Sequence, residues 1–208
     1  RAQNLDRHFS VFNQHDEAFA PSPYYGDYAS TPTDDIFRLF IHNINRFSAS
    51  NNDDSKYIEF FTSVTRYRPS VTLLQELGLQ WPFVPKHMQL LAMAKKHLAP
   101  IDCKLVTAHN ENSGVRSRSQ WGGTAVLSYG KVCQYAKGTG QDETGLGRWC
   151  WARFQGRNGI SLRTVSVYCP CEPETSSDGT TSDGAGPVYN QHLKYLNDND
   201  DDRDPRTA

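Results

Sequence analysis

The sequence predicts an α/β fold built around a parallel βαβ unit. One apolar run, 36–41, ends in the polar stretch His42-Asn43-Ile44-Asn45, and a second run, 71–74, ends in Gln75-Glu76. Short apolar runs with polar borders are typical of buried strands. Between them, apolar residues recur at helical spacing over 55–68. The order strand, helix, strand predicts two parallel strands joined by a crossover helix.

The ends of these two strands form the first candidate site. Ligands of α/β sheets bind outside the carboxyl ends of parallel strands, which places Asn43 and Glu76 at one edge. A carboxylate there needs a partner, because burying an unpaired charge is costly. Amide and carboxylate oxygens suit Mg²⁺ better than Zn²⁺, so Asn43 and Glu76 are the predicted metal ligands. Asn45, on the same side of an extended strand as Asn43, is predicted to orient that site and assist catalysis.

The next stretch continues the alternation of helices and strands. Residues 81–85 are interpreted as a loop with exposed aromatic side chains. Helical spacing predicts a helix over 86–98, and Pro100 ends it. The apolar run that follows predicts a strand over 103–108.

A polar loop over 109–121 is the second candidate site. It contains Arg116 and Arg118 close to the aromatic Trp121. Two arginines beside an aromatic side chain can hold a nucleic-acid backbone by charge and stacking. Arg116 and Arg118 are therefore predicted to bind substrate, and a solvated loop without a binding role is the alternative.

The second half of the chain predicts an antiparallel hairpin. A strand is predicted over 124–128, and the glycine-rich stretch 135–147 is interpreted as a connecting loop, since it lacks the helix and lysine of a phosphate-binding loop. Two more strands, 148–154 and 160–168, are predicted to pair across 156–159, because Asn-Gly is a strong turn signal.

The two ends of the chain carry weaker signals. Residues 1–34, with several prolines and tyrosines and little periodicity, are interpreted as a flexible leader. Residues 172–187 are rich in Ser, Thr, Gly and Asp and predict an exposed insertion. A helix is predicted over 188–196, followed by an acidic, solvated run at 197–204.

Four motifs together resemble the endonuclease/exonuclease/phosphatase superfamily. They are Asn-Ile-Asn-Arg-Phe at 43–47, Leu-Leu-Gln-Glu at 73–76, Gly-Gly-Thr-Ala-Val-Leu at 122–127, and the hairpin from Gly147-Arg148-Trp149 to Tyr168-Cys169-Pro170. They occur in the superfamily's order, and their details look most like the endonuclease domains of non-LTR retroelements. The resemblance covers about 35–208, which it identifies as the N-terminal part of such a domain.

The resemblance implies a fold and further site residues. The fold is part of a two-sheet α/β sandwich, the DNase I-like four-layer fold, with mixed sheets flanked by helices. Tyr168 corresponds to the family's active-site tyrosine, whose hydroxyl lies near the scissile phosphate. The alternative is a half-buried strand aromatic without a catalytic role. Arg148 is predicted to contact a phosphate oxygen or, alternatively, to lie on the hairpin surface.

Other motifs of the superfamily are not found after Tyr168. These are an Asp-x-Asn motif that follows an apolar strand and a distal Asp paired with a His base. We therefore expect the parent protein to be a nuclease, this chain alone to be inactive, and part of its core to be exposed.

Composition adds limits on partners and compartment. The chain has 208 residues, a net charge of −1, a pI near 6.7 and a mean hydropathy of −0.66. A nucleic acid would therefore have to be held by a local patch, and no apolar stretch is long enough to span a membrane. The five cysteines are unevenly spaced and are interpreted as free thiols. An intracellular location is expected, with the nucleus as one option.

The resulting hypothesis is a Mg²⁺-dependent or Mn²⁺-dependent phosphodiesterase that cleaves DNA and belongs to a retroelement. A phosphoinositide or sphingomyelin phosphodiesterase shares the same front-half motifs and stays an alternative. A non-catalytic relative that binds nucleic acid or protein is the alternative from a different functional class. The sequence indicates no oligomeric state.

Overall fold

The computed structural model describes residues 36–48, 53–111, 117–170 and 186–206. In chain order, the strands and helices of this part are β1 (Leu39–Asn43), α1 (Ser55–Tyr67), β2 (Val71–Gln75), α2 (Leu90–Leu98), β3 (Cys103–Ala108), β4 (Thr124–Tyr129), α3 (Val132–Tyr135), β5 (Ala136–Gln141), β6 (Trp149–Gln155), β7 (Ser161–Val167) and α4 (Gly186–Asp198). The predicted leader 1–34 and the insertion 172–187 lie, apart from the first residues of α4, outside the described residues.

The first sheet contains the predicted βαβ unit. Its strand order is β1-β2-β4-β3, with β1 and β2 parallel and the other neighbours antiparallel. Helix α1 joins β1 to β2 and buries the side chains Tyr57, Phe60, Phe61 and Val64, which recur at helical spacing. It ends at Tyr67, and the next residue, Arg68, has a left-handed backbone and donates its N–H to the carbonyl oxygen of Val64.

The second sheet is the predicted hairpin with one further strand. Its order is β5-β6-β7, and all pairings are antiparallel. The hairpin between β6 and β7 turns at Asn158 and Gly159, which both have positive φ. This confirms the turn that the Asn-Gly pair predicted.

Two apolar clusters show how the layers stack. The larger cluster lies between the first sheet and helices α1 and α2, and includes Leu74 and Leu127. The smaller cluster joins Leu73 and Val126 of the first sheet to Ala152 and Phe154 of the second. Alternate residues of β2 and β4 thus face the helices and the second sheet. The predicted fold class, mixed α/β with two sheets flanked by helices, is confirmed.

Some predictions for the first half of the chain differ from the structure. Strand β1 begins at Leu39 and includes Asn43, because its backbone pairing with β2 sets its limits and the apolar run does not. The first part of the predicted helix 86–98 is a separate single turn, and α2 begins at Leu90, because Gln89 has an extended backbone. Trp81 is buried rather than exposed, since it packs into the larger cluster.

The glycine-rich stretch 135–147 is not only a loop, because it contains strand β5. Apolar alternation is missing from this strand for a steric reason. A Cβ on Gly140 would lie 2.5 Å from the indole of Trp151, so the tryptophan on β6 occupies the space of a β5 side chain. Helix α4 confirms the helix predicted over 188–196. No helix in the described residues is both long and apolar enough to cross a membrane.

Candidate functional site

The ends of β1 and β2 lie side by side, as their parallel pairing requires. Asn43 is opposite Gln75 in the register of the two strands. Beyond the strands, the N–H of Arg46 donates to the carbonyl oxygen of Glu76 at 2.7 Å, and that of Phe47 donates to Leu77 at 3.0 Å. These bonds hold the segment after β1 against the segment after β2. The structure therefore brings the neighbourhoods of Asn43 and Glu76 together.

The backbone at this edge adopts left-handed conformations that residues other than glycine rarely take. Asn45, Arg46 and Glu76 have φ values of 49°, 68° and 53°. Such left-handed residues each cost about 1–3 kcal/mol and cluster at functional sites. The Oδ1 of Asn43 accepts a hydrogen bond from the N–H of Asn45 at 2.9 Å, which stabilises the turn.

This turn corrects the geometry predicted for Asn45. Strand β1 ends at Asn43, so Asn45 is not on an extended strand and the same-side argument does not apply. Its carbonyl oxygen and that of Ile44 both accept hydrogen bonds from the Nζ of Lys56, at 2.5 and 2.9 Å. Lys56 thus anchors the turn to the start of α1. The orienting role of Asn45 stays a prediction.

The two predicted metal ligands are accessible. Asn43 is exposed and Glu76 is half-buried. The carboxylate of Glu76 forms no hydrogen bond or ion pair with other residues in the described ranges. Its oxygens are therefore available to a ligand. Arg46 is close enough to interact with the Glu76 charge.

Tyr168 reaches the same edge from the second sheet. Its ring lies 3.5 Å from the position that a Cβ on Gly122 would take. Gly122 in turn accepts a hydrogen bond from the N–H of Gly78, two residues after Glu76, at 2.9 Å. Gly122 has a φ of +78°, a backbone conformation that favours glycine.

A polar bridge between the sheets fixes the position of Tyr168. The hydroxyl of Ser166 donates to the carbonyl oxygen of Leu74 at 2.7 Å and accepts from the Nε2 of Gln75 at 3.3 Å. Ser166 is two residues before Tyr168, and Leu74 is two residues before Glu76. The bridge therefore ties the strand that presents Glu76 to the strand that precedes Tyr168.

Arg148 is engaged with the protein itself. Its Nε donates to the carbonyl oxygen of Tyr168 at 2.7 Å, its backbone N–H donates to Asp142 at 2.7 Å, and its guanidinium contacts the Nδ1 of His192. Burial lowers the pKa of Arg148, and Cys169, Asp142 and Tyr168 oppose that shift. These contacts position Tyr168. The predicted contact of Arg148 with a phosphate oxygen stays a prediction.

The predicted nucleic-acid loop lies only partly within the described residues. Arg116 lies outside the described residues. Arg118 is exposed, and its carbonyl oxygen accepts from the N–H of Gln80 at 2.9 Å. Trp121 stacks on Arg46, whose Cζ is 3.1 Å from the ring centroid.

Arg46 was not among the residues predicted from the sequence. It lies in the Asn-Ile-Asn-Arg-Phe motif, directly after Asn45, and this position was the only available signal. Burial lowers the pKa of Arg46, and the nearby Glu76 and Tyr168 raise it. Arg46 is therefore within electrostatic reach of both predicted site residues.

His192 brings helix α4 to this region and predicts a pH dependence. Its side chain is 7% exposed. Burial and then Arg148 lower its pKa from the ordinary 6.5, whereas a hydrogen bond to the Pro205 carbonyl, Asp142 and Asp201 raise it. In the unfolded chain His192 takes up a proton near its ordinary pKa, but in the folded chain it does so only at lower pH. The stability that neutral His192 contributes is fully present above its unfolded-state pKa. It is lost progressively as the pH falls from that value through the lower folded-state pKa.

We therefore expect the free energy of unfolding in urea to fall as the pH is lowered from about 7.5 to about 5.5. Burial also lowers the pKa of His42, His97 and His109, which add to this fall. His192→Gln should make the fall smaller, and His87→Gln, at an exposed site, should not. An unchanged pH profile in His192→Gln would refute the role of His192.

No protein-family model and no curated protein sequence matches the chain. Among solved structures, the chain is similar to the catalytic domain of human Nocturnin, determined with a bound sulfate anion, at 12% sequence identity and a TM-score of 0.42. The similarity covers 78% of this chain and 59% of the Nocturnin chain. This chain therefore spans less than two thirds of that structure.

Proposed function

We propose that the protein is, or forms part of, a divalent-metal-dependent phosphodiesterase of the endonuclease/exonuclease/phosphatase superfamily. One observation carries the proposal: Glu76, Asn43 and Tyr168 come from two sheets to one edge of the fold. The strained backbone of Glu76 and of the turn after Asn43 lies at the same edge. Each of the four sequence motifs that resemble the superfamily begins or ends at or beside these residues.

The donor set at this edge fits Mg²⁺ or Mn²⁺. Mg²⁺ is usually held by one or two carboxylates together with waters and substrate phosphates. Glu76 supplies one carboxylate and Asn43 one amide oxygen, and both side chains are accessible. Within the described ranges, no group of three or more His, Cys, Asp or Glu side chains could form a closed metal cage. Glu76 and Asn43 would hold the metal, which would neutralise charge on the phosphate.

The protein's own residues have two tasks in this proposal. The hydroxyl of Tyr168 would donate a hydrogen bond to a phosphate oxygen and so stabilise negative charge that develops during hydrolysis. Arg148 holds the Tyr168 carbonyl oxygen, and the Ser166 bridge holds the strand before it. The tyrosine is thus positioned before substrate binds, which is the arrangement that makes such donors effective.

We propose DNA as the substrate and a retroelement as the source, with the nucleus as the place of action. The motif details support this finer proposal. Phosphoinositides and sphingomyelin also contain a phosphodiester. Hydrolysis of these lipids, without hydrolysis of DNA, would replace DNA by a lipid as the proposed substrate.

The proposal is tested by nicking of supercoiled plasmid, measured with the 208-residue chain and with the longest protein that its gene encodes. We expect nicking with Mg²⁺ or Mn²⁺ in at least the longer protein, and none after EDTA. Vesicles that contain phosphatidylinositol bisphosphate or sphingomyelin are assayed in parallel. Head-group release without nicking would indicate a lipid phosphodiesterase. DNA binding without hydrolysis by either protein would indicate a binding module.

A further inference from the structure

We propose that Arg46 is a phosphate-binding residue of this site and that Trp121 holds its guanidinium in place. The inference rests on the proposed function, because it assigns Arg46 to the phosphodiester that Glu76 and Tyr168 would meet. It concerns a residue pair that is 75 positions apart in the chain and that no sequence motif joins.

The stacked geometry leaves the hydrogen-bond donors of Arg46 available. The Cζ of Arg46 is 3.1 Å from the centroid of the Trp121 ring, so the guanidinium presents its face to the indole. Stacking uses the face, whereas the N–H groups point outward in the plane of the guanidinium. These N–H groups donate no hydrogen bond to other residues in the described ranges. A half-buried cation with unused donors suits an anion.

The position of Arg46 is fixed from the backbone side as well. Its φ of 68° and the bond from its N–H to Glu76 set the direction in which the side chain leaves the turn. Its Cβ and Cγ lie over Gly78, since a Cβ added to Gly78 would be only 2.6 Å from both atoms. The side chain is thus held at both ends, by Gly78 at its base and by Trp121 at its tip.

This restraint matters because ordering an arginine on binding costs up to about 2 kcal/mol of side-chain entropy. A guanidinium that is already ordered avoids most of that loss when a phosphate binds.

The electrostatic surroundings indicate which anion the pair would meet. The backbone N–H of Arg46 donates to the carbonyl oxygen of Glu76, and Trp121, on which Arg46 stacks, directly precedes Gly122, which the Tyr168 ring approaches. Arg46 therefore lies near the two residues proposed to contact metal and phosphate. The chain as a whole has a net charge of −1, and attraction of a nucleic-acid backbone must therefore be local. Arginine forms paired hydrogen bonds with phosphate oxygens. The chemical class of ligand is therefore a phosphodiester, bound at the scissile or an adjacent phosphate.

The test is binding of a fluorescent DNA oligonucleotide over a range of salt concentrations, in EDTA so that no cleavage occurs. Each phosphate contact contributes about 0.7–0.9 to the slope of log affinity against log salt. Arg46→Ala should lower the slope by about that amount and weaken binding about tenfold or more at low salt. Arg46→Lys should keep the slope.

Trp121 is tested as a positioning residue. Trp121→Ala should weaken binding about two- to fivefold while the slope stays the same, because no charge is removed. Trp121→Phe should restore most of the affinity. The matched control is Arg163→Ala, which removes an arginine that stacks on Trp151 of the second sheet at 4.4 Å. Arg163→Ala should leave the slope unchanged.

The outcomes separate this inference from the proposed function. If the wild-type chain binds DNA and Arg46→Ala has the wild-type slope, or if Arg163→Ala lowers the slope equally, the assignment of Arg46 is wrong while the proposed function stands. If the wild-type chain and its longest form neither bind nor cleave a phosphodiester, both proposals fail.

Discussion

Glu76→Gln is expected to lower metal-dependent phosphodiester hydrolysis at least about a hundredfold. The substitution keeps the shape of the side chain and removes the negative charge that a divalent ion requires. It should leave the free energy of unfolding within about 0.5 kcal/mol, since the carboxylate forms no hydrogen bond in the described ranges. The measurements are plasmid nicking and urea unfolding.

Binding of Mn²⁺, followed by water-proton relaxation, gives a readout that does not depend on turnover. Glu76→Gln should weaken Mn²⁺ binding, and Glu59→Gln, an exposed carboxylate on α1, should not. Nicking and Mn²⁺ binding at wild-type levels in Glu76→Gln would show that Glu76 is not a metal ligand and would remove the main support for the proposed function.

The second large effect is expected for Gly147→Ala, which should destabilise the fold by about 3 kcal/mol. Gly147 has a φ of +73°, and a Cβ there would lie 2.5 Å from the carbonyl carbon of His109 and 2.8 Å from the backbone nitrogen of Asn110. Backbone atoms cannot move aside as a flexible side chain can. The turn before Arg148 would have to shift, and the contact of Arg148 with Tyr168 would weaken.

Gly159→Ala is the matched control for this effect. Gly159 has a similar φ of +76°, but no atom lies within 4 Å of an added Cβ. Gly159→Ala should therefore lower the free energy of unfolding only by the backbone penalty of about 1 kcal/mol. Both variants are measured by urea unfolding. An equal decrease in the free energy of unfolding in the two variants would mean that the crowding at His109 and Asn110 is relieved without cost.

The sequence predicted the central strands well because their pattern is local. The run 71–74 is apolar except for Thr72, since β2 is buried on both faces, and such a run can be recognised without knowledge of its neighbours. Strand β5 could not be predicted in this way. Gly138 and Gly140 carry no side chains that would reveal the strand, and at Gly140 the indole of Trp151 on the neighbouring strand occupies the space of a side chain.

The site was predictable only where it follows from strand ends. Asn43 and Glu76 come together because parallel pairing requires it. The stacking of Arg46 on Trp121 and the contact of His192 with Arg148 are tertiary contacts between distant segments. No spacing in the chain encodes them. The left-handed turn at Asn45 was missed because an asparagine there is compatible with both an extended strand and a turn.

The Ser166 hydroxyl helps to fix the distance between Glu76 on the first sheet and Tyr168 on the second. Apolar side chains between two sheets resist separation, but they resist sliding only weakly because their contacts have no direction. A hydrogen bond from Ser166 to the Leu74 carbonyl oxygen does have a direction, and it opposes shear of one sheet over the other. The gap between the carboxylate and the tyrosine is therefore a property of the folded protein, and no closing motion is needed to set it.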